Sequence, residues 1–351
     1  MKGVPGMSDS PYVLSHTSEG DDPSDLAVVV VSWNVKELLA DCLASTFEGL
    51  AGSGLDAEVW VVDNASHDGS PDMVRERFPQ VRLLAGQENL GFAGGNNRVL
   101  RAIGFQPSNH PTTQPSIRPP SPPANLPRYV LLLNPDTEVR GDALAAMVRF
   151  MDETPSAGVC GARLVYGDGS FQHSAFGFPG LVQIFLDFFP LHWWLTESRL
   201  NGRYPRRLYE GEIPFEIDHP LGAAMMLRRE VIVQTGLFDE GYRMYVEEID
   251  WCMRIRQAGW AIYCVPSALV VHHAGRSTGQ VPNEMFVALW KSRFRLFGKH
   301  YGRTFRWTAR RLVRLGLWAN AHRARAAHRR GELSAEALSG WLSALHHVAK
   351  L

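Results

Sequence analysis

The chain is poor in cysteine, and the four it has, Cys42, Cys160, Cys252 and Cys264, are widely scattered with no close pairing pattern. That argues for reduced thiols in a cytoplasmic protein, and against a disulfide framework or a zinc site. An apolar signal core is missing from the N-terminus. Residues 1–25 are instead polar and rich in Ser, Asp, Gly and Pro, the composition of a disordered leader. No apolar run is long enough to span a bilayer, since LVQIFLDFFPLHWWL, from Leu181 to Leu195, is broken by Asp187 and Pro190. No internal repeat is visible. Net charge is zero, yet one segment lacks acid altogether: Lys291 to Arg330 holds 13 Lys or Arg and no Asp or Glu.

What is present is a set of β-branched and apolar runs that stop at polar residues. AVVVVSWN ends at Asn34, and Lys36 to Leu50 then carries Leu38, Leu39, Cys42, Leu43, Phe47 and Leu50 at helical spacing. EVWVVDNASHDGS crowds Asp63, Asn64, Ser66 and Asp68 onto the end of a second strand, and a helix is expected near Pro71 with Ser70 as its cap. In ENLGFAGGNN, Gly91, Gly94 and Gly95 are expected to precede a helix and let backbone N–H groups approach an anion. YVLLLNPDTEV ends at Asn134-Pro135-Asp136, where Asp136 offers the hard oxygen ligand that Mg²⁺ or Mn²⁺ prefers. Polar residues at successive strand ends, in βαβα order, describe an α/β sheet with a ligand site along its carboxyl edge. At 351 residues and 45% hydrophobic content the chain can bury a full core.

Taken together, VVVVSWN, VVDNASHDGS, ENLGFAGGNN and LLLNPDTEV resemble the ordered motifs of family 2 glycosyltransferases, most closely the rhamnosyltransferase-like branch. HPLGAAMMLRREVIVQTGLFDE, YRMYVEEIDWCMRIRQAGW and VVHHAGRST continue the resemblance, which spans about Leu26 to about Tyr301. It implies a GT-A fold: an α/β protein with a mixed, mostly parallel, doubly wound sheet and the donor site at its carboxyl edge. It also implies inverting transfer of a sugar from a nucleotide diphosphate, with a divalent metal, Mg²⁺ or Mn²⁺, as cofactor. On this resemblance Asp63 meets the pyrimidine of the donor, Trp33, Asn34 and Asn64 line the same pocket, and Asn89, Gly91 and Asn96 lie against the nucleoside and diphosphate. Asp136 and His272 would approach the metal. Asn134 stands where the family has its first acidic position, so it would contact ribose or a metal-bound water. Arg276, in an expected flap with Gly275, Ser277 and Thr278, would meet phosphate charge.

Glu247, Glu248 and Asp250 can be read in two ways. By helical rules they are acids favoured by the dipole at a helix start that Gly259 can end, with Arg254 four residues beyond Asp250 as an ion-pair partner. The resemblance makes Glu248 the general base and leaves Asp250 structural or acceptor-binding. Leu221, Gly222, Ala223 and Ala224 would pack an acceptor half against the sheet. The expected organisation is a leader at 1–25, a glycosyltransferase domain at 26–285 with a proline-rich insertion at 106–128, and a basic helical extension at 286–351.

In that extension Phe294, Leu296, Phe297, Phe305, Trp307, Leu312, Leu315, Leu317 and Trp318 intersperse the charges, as expected of amphipathic helices on an anionic membrane. Core packing is the alternative for these residues and for Leu181–Leu195, which is also a candidate lid near the acceptor. Nothing resembles a nucleic-acid module. The expected activity is transfer of L-rhamnose from dTDP-rhamnose to a glycan or lipid-linked acceptor, at the cytoplasmic face of the cell membrane. The alternatives are another hexosyl or galactofuranosyl transferase using a UDP- or GDP-sugar, and a nucleotide-sugar-binding protein without turnover.

Overall fold

A computed structural model describes residues 23–106, 122–242, 244–274 and 282–351. Most of the expected leader, the middle of the proline-rich insertion, and Arg276 with its neighbours lie outside the described residues. The first half alternates strand and helix: β1 (Leu26–Ser32), α1 (Lys36–Leu50), β2 (Ala57–Asp63), α2 (Ser70–Arg77), β3 (Arg82–Ala85), α3 (Gly91–Ile103) and β4 (Tyr129–Leu133). These four strands run parallel, because each return is made by a helix on a sheet face. Next come β5 (Thr137–Val139), α4 (Ala143–Glu153), β6 (Ala157–Val165), β7 (Phe171–Gln172) and β8 (Ala175–Phe176). The short helices α5 (Leu181–Phe188), α6 (Trp193–Thr196) and α7 (Arg207–Glu210) follow, then β9 (Phe215–Glu216), β10 (His219–Pro220) and β11 (Ala224–Arg228). The sheet is completed by α8 (Arg229–Thr235), α9 (Glu247–Gln257) and β12 (Ala261–His272).

The main sheet order is β3-β2-β1-β4-β11-β6-β12-β5, with β11 antiparallel to β4 and β6, and β5 antiparallel to β12. The expected mixed, mostly parallel, doubly wound sheet is therefore present. Its strands read as continuous apolar runs because both faces are covered. Val28, Val30, Val61, Leu131 and Leu133 pack with Leu39, Leu43 and Met147 on one side. Val29, Val62, Val130 and Leu132 pack with Val99, Leu100, Ile232 and Trp251 on the other. Since β1, β2, β4 and β12 point the same way, the polar ends of all four meet at one edge.

Two local expectations change. Gly94, Gly95 and Asn96 lie within α3, which already begins at Gly91, where φ is +70°. A Cβ on Gly95 would stand 2.7 Å from Val31 Cγ1, so this glycine serves close packing of α3 on β1 and not a phosphate loop. Ser70 is the first residue of α2 and Gly69, φ +83°, its N-cap; the preceding Asp68 accepts from Ser70 N at Oδ1, 3.0 Å, and from Lys36 N at Oδ2, 2.9 Å.

Three helices close the chain: α10 (Pro282–His300), α11 (Arg303–Arg329) and α12 (Ala335–Ala349). The division expected at residue 285 falls inside α10. These helices build a third core, in which Trp290, Leu296, Phe297, Val313, Leu317 and Leu345 enclose Ile184, Phe188, Tyr242 and Val246 from earlier in the chain. Among the described residues, no helix is long and apolar enough to cross a membrane.

Gly95→Val is expected to lower unfolding stability by about 1–3 kcal/mol, because the added methyl groups must push α3 away from Val31. Urea denaturation reads this directly; an unchanged midpoint would mean that α3 does not bear on β1.

Candidate active site

At the ends of β1 and β2, Ser32 and Asp63 face each other in register. Asp63 is buried; its Oδ2 accepts from Ser66 N at 2.9 Å and its carbonyl accepts from Gly86 N at 2.8 Å. Its Oδ1 has no protein partner, and neither do Ser32 Oγ and Asn64 Oδ1, all three buried. Unpartnered buried oxygens are rare in native proteins, and three at adjacent strand ends make this the candidate place for a ligand that brings its own donors. Asn64 Nδ2 donates to Gly91 O at 3.1 Å, and Asn89 Oδ1 accepts from Gly91 N at 2.8 Å, so the β3–α3 loop is pinned beside this place. Trp33, 42% exposed, directly follows Ser32. Asn34 takes a left-handed conformation, φ +53°; its backbone N–H donates to Ser66 Oγ at 2.9 Å and its Oδ1 accepts from His67 N at 2.8 Å. Asn34 thus clamps the β2–α2 loop. Asn96 departs from expectation: it is buried in α3, where its amide donates to Phe92 O at 2.9 Å, because the helix starts five residues earlier than anticipated.

The antiparallel pairing of β5 with β12 sets His272 opposite Thr137 and brings His272 Nε2 within 3.4 Å of Asp136 Oδ1. His272 Nδ1 lies 3.2 Å from Gln172 Oε1. A proton on Nδ1, donated to Gln172, leaves the Nε2 lone pair facing Asp136, which is the tautomer a metal ligand requires. The residues therefore fit a hard divalent ion held by one carboxylate and one imidazole. Among the described residues no cluster of three or more His, Cys, Asp and Glu side chains could hold a metal, so phosphate oxygens and water would complete its shell. His273 points elsewhere, to Glu138 Oε1 at 2.6 Å. Cys42, whose thiol meets Asn134 O at 3.4 Å, is pushed up to about 12 by burial and is a packing contact.

Asn134 joins this centre to the acids of α9. Its backbone N–H donates to Ala223 O at 2.9 Å, and the preceding Gly222 leaves room for Glu248, whose Cγ would lie 3.6 Å from a Cβ at position 222. Glu248 is half-buried and Glu247 is buried with an unpartnered Oε2. Burial raises the pKa of both carboxyls, and the charge of Glu248 adds to the rise at Glu247.

Asp250 has the opposite environment. It is fully buried, and its carboxylate receives Arg254 Nε at 3.0 Å, Lys299 Nζ at 2.8 Å and Tyr242 Oη at 3.2 Å, with His300 Nε2 at 2.7 Å. Burial works against its charge, but the His300 hydrogen bond and the charges of Arg254 and Lys299 hold its pKa well below the usual carboxylate range. The expected Asp250–Arg254 pair is present. Lys299 and His300 were not foreseen, since they sit in the basic stretch read as facing a membrane. Arg295, from the same stretch, also serves an acid: it binds both oxygens of Asp239, at 2.8 and 3.0 Å. Just before α9, Tyr245 (φ +66°) and Val246 (φ +75°) are both left-handed, a strained arrangement for large and β-branched residues. Burial of Val246 in the third core and a hydrogen bond from Ser292 Oγ to Met244 O, 2.8 Å, hold the turn.

One other unforeseen residue, Asn97, ties α3 to the segment before α9. Asn97 donates from Nδ2 to Phe238 O and Glu240 Oε1, while its Oδ1 accepts from Phe238 N at 3.0 Å. Of the segment Leu181–Leu195, Ile184, Leu186 and Phe188 are buried, whereas Val182, Leu191, Trp193 and Trp194 are exposed.

A family model described as "Glycosyltransferase like family 2" matches residues 23–295. The N-acetylglucosaminyl-diphospho-decaprenol L-rhamnosyltransferase of Mycobacterium tuberculosis is 32% identical over 261 residues, 72% of this chain and 79% of the relative. Rhamnosyltransferase WbbL of Escherichia coli is 25% identical over 189 residues, 53% of this chain and 63% of the relative. Among solved structures, the mannosyltransferase PcManGT from Pyrobaculum calidifontis, in complex with GDP-Man and Mn²⁺, superposes with a TM-score of 0.53 at 16% identity, covering 93% of this chain and 85% of the other.

Asp250→Asn is expected to destabilise the protein by about 3–5 kcal/mol, because Arg254 and Lys299 lose their counter-charge and His300 a carboxylate hydrogen-bond partner. The folded pKa of Asp250 lies below its unfolded value of about 3.9, so its stabilisation is complete above that value and is lost as pH falls through the folded pKa. The Asn variant should accordingly lose the acid-side slope of the stability curve. Glu247 has the opposite sign. Its raised folded pKa costs stability as pH rises from about 4.3 upward, so Glu247→Gln should gain melting temperature over the parent, increasingly toward alkaline pH. A pH-independent difference would contradict this assignment.

Proposed function

This chain belongs to glycosyltransferase family 2, and on that premise we propose that it transfers L-rhamnose, with inversion, from dTDP-L-rhamnose to a lipid-linked saccharide in cell-surface polysaccharide synthesis. The observation that carries this reading is the connection between Glu248 and the Asp136–His272 pair through Gly222, Ala223 and Asn134. It supports a reading in which a carboxylate of raised pKa serves the end of the donor diphosphate. The rhamnosyltransferase relatives support the choice of sugar, and the mycobacterial one, by its name, acts on a diphospho-decaprenol-linked acceptor.

In this reading Ser32, Asp63 and Asn64 take the pyrimidine. Asp63 Oδ1 accepts the ring N–H, and Trp33 offers its indole face beside it. Asn34, Asn89 and Gly91 hold the two flanking loops, and Asn134 keeps the metal strand against Ala223. Asp136 and His272 would hold a divalent metal, which supplies positive charge against the departing diphosphate. Arg276 is proposed to add to that charge. Glu248 takes the proton from the attacking acceptor hydroxyl as the new C–O bond forms and the bond to the diphosphate breaks, so the step is a single displacement with inversion. A base with a raised pKa suits this work near neutrality. Asp250, held by Arg254, Lys299 and its hydrogen bonds, positions α9 and does not accept the proton. Catalysis is proposed at the cytoplasmic face of the cell membrane, with peripheral contact to anionic lipid.

Purified protein with Mn²⁺ or Mg²⁺ is expected to turn over dTDP-rhamnose in preference to UDP- and GDP-hexoses, and Asp136→Ala should abolish it. Preference for another sugar would replace the donor assignment; tight binding without turnover, even with a lipid-linked acceptor, would make the chain a binding protein. Glu248→Gln should lower kcat about 10²–10⁴-fold without loss of stability. The parent's activity should rise with pH along a limb displaced above the ordinary glutamate range. A dead Asp250→Asn beside a fully active Glu248→Gln would exchange the two roles.

A further inference from the structure

The exposed side of α11 is unlike the rest of the surface. This 27-residue helix contains no Asp or Glu, and it buries Ala309, Val313, Gly316, Leu317 and Ala324 along one face. The opposite face repeats at helical spacing as Trp307, Arg311, Arg314, Leu315, Trp318 and Arg325. Trp307 and Trp318 are each 61% exposed and Leu315 is 50% exposed, side chains that a helix bathed only in water gains nothing by displaying. The Arg311 guanidinium lies 5.2 Å from the centre of the Trp307 ring, so cation and indole share one side. Among the described residues none of the four arginines at 311, 314, 325 and 329 has an acidic partner. Several exposed arginines elsewhere, such as Arg75, Arg101 and Arg206, are paired, and nowhere else in the described chain do four unpaired ones share one helix face with exposed indoles.

Of the nine apolar residues expected to face a membrane, six pack the third core and only Trp307, Leu315 and Trp318 reach the surface. They share a face with arginine instead of opposing it. We infer that this face of α11 docks on an anionic phospholipid bilayer. Indoles and a leucine at the headgroup boundary satisfy the apolar part, and the uncompensated guanidiniums match lipid phosphate. Net charge is zero over the whole chain, so the charge is a local feature of this face. No described helix can span a bilayer, so the helix lies on the membrane and does not cross it. A nucleic-acid backbone would match the arginines but offers no apolar layer for Leu315 and the indoles. The inference deepens the peripheral contact proposed above by assigning the surface that makes it.

The test is co-sedimentation of the full chain with vesicles of phosphatidylglycerol mixed with phosphatidylcholine, against phosphatidylcholine alone, at low and high salt. Binding should require the anionic lipid and weaken with salt. Trp307→Ala with Trp318→Ala, and separately Arg311→Gln with Arg314→Gln, should each weaken it about tenfold or more. Both double variants should keep the parent's donor turnover in solution, which reads the proposed reaction without any vesicle and so separates failure of one reading from failure of the other. Absence of vesicle binding, unchanged binding in both variants, loss of binding in Trp193→Ala with Trp194→Ala instead, or stronger binding to an oligonucleotide than to anionic vesicles would each overturn the assignment.

Discussion

Asp250 gathers Arg254 from its own helix, Lys299 and His300 from α10, and Tyr242 from the turn between α8 and α9. A carboxylate removed from water is tolerable only when its charge is matched, and here the match is supplied by segments far apart in sequence. Because Asp250 is two residues from Glu248 on one rigid helix, whatever fixes the first fixes the second. The antiparallel return of β11 then carries Gly222 and Ala223 to the Asp136 loop, which relates the acid helix to the sheet edge. Helix α10 thus helps to frame α9, and a cut at residue 285 would divide α10 and take Lys299 and His300 away from Asp250.

Environment separates two carboxyls of similar intrinsic acidity. Glu248 lies where its charge is poorly solvated and Asp250 where its charge is over-matched, so their pKa values move apart along less than one helical turn. A group held ionised by two cations and further hydrogen bonds is a poor proton acceptor; a group whose ionised form is disfavoured is a better one. The same contrast divides the basic segment. Arg295 and Lys299 balance acids, while among the described residues Arg311, Arg314, Arg325 and Arg329 of α11 have no acidic partner.

The sheet and its edge were legible in the chain because both-face burial writes itself as uninterrupted apolar runs, and each run stops at a polar residue. Helix α1 was legible to the residue, since its apolar spacing is clean. The glycines of α3 were not: a glycine that admits a close strand and a glycine that opens a phosphate loop look alike until Val31 is seen above Gly95. Gln172 carries no motif, and its bearing on His272 arises from a non-local pairing that spacing cannot express. The roles of Lys299 and His300 were hidden for the same reason, because a basic run does not reveal which of its residues meet a buried acid. The amphipathic residues of the C-terminal segment divided between core and surface by helical phase, which only a defined helix start and packing partner can set.

The turn at Tyr245 and Val246 raises a question of design. A sequence written for ease of folding would place glycine or asparagine at two successive left-handed positions, since those residues adopt them with little strain. This chain keeps an aromatic and a β-branched residue, and Val246 is buried among Trp290, Phe297 and Leu317. Relaxing the backbone would remove the anchor that aims α9. A search for more stable variants would therefore be drawn first to this turn, and its successes there would be proteins that fold more readily around a less accurately placed acid.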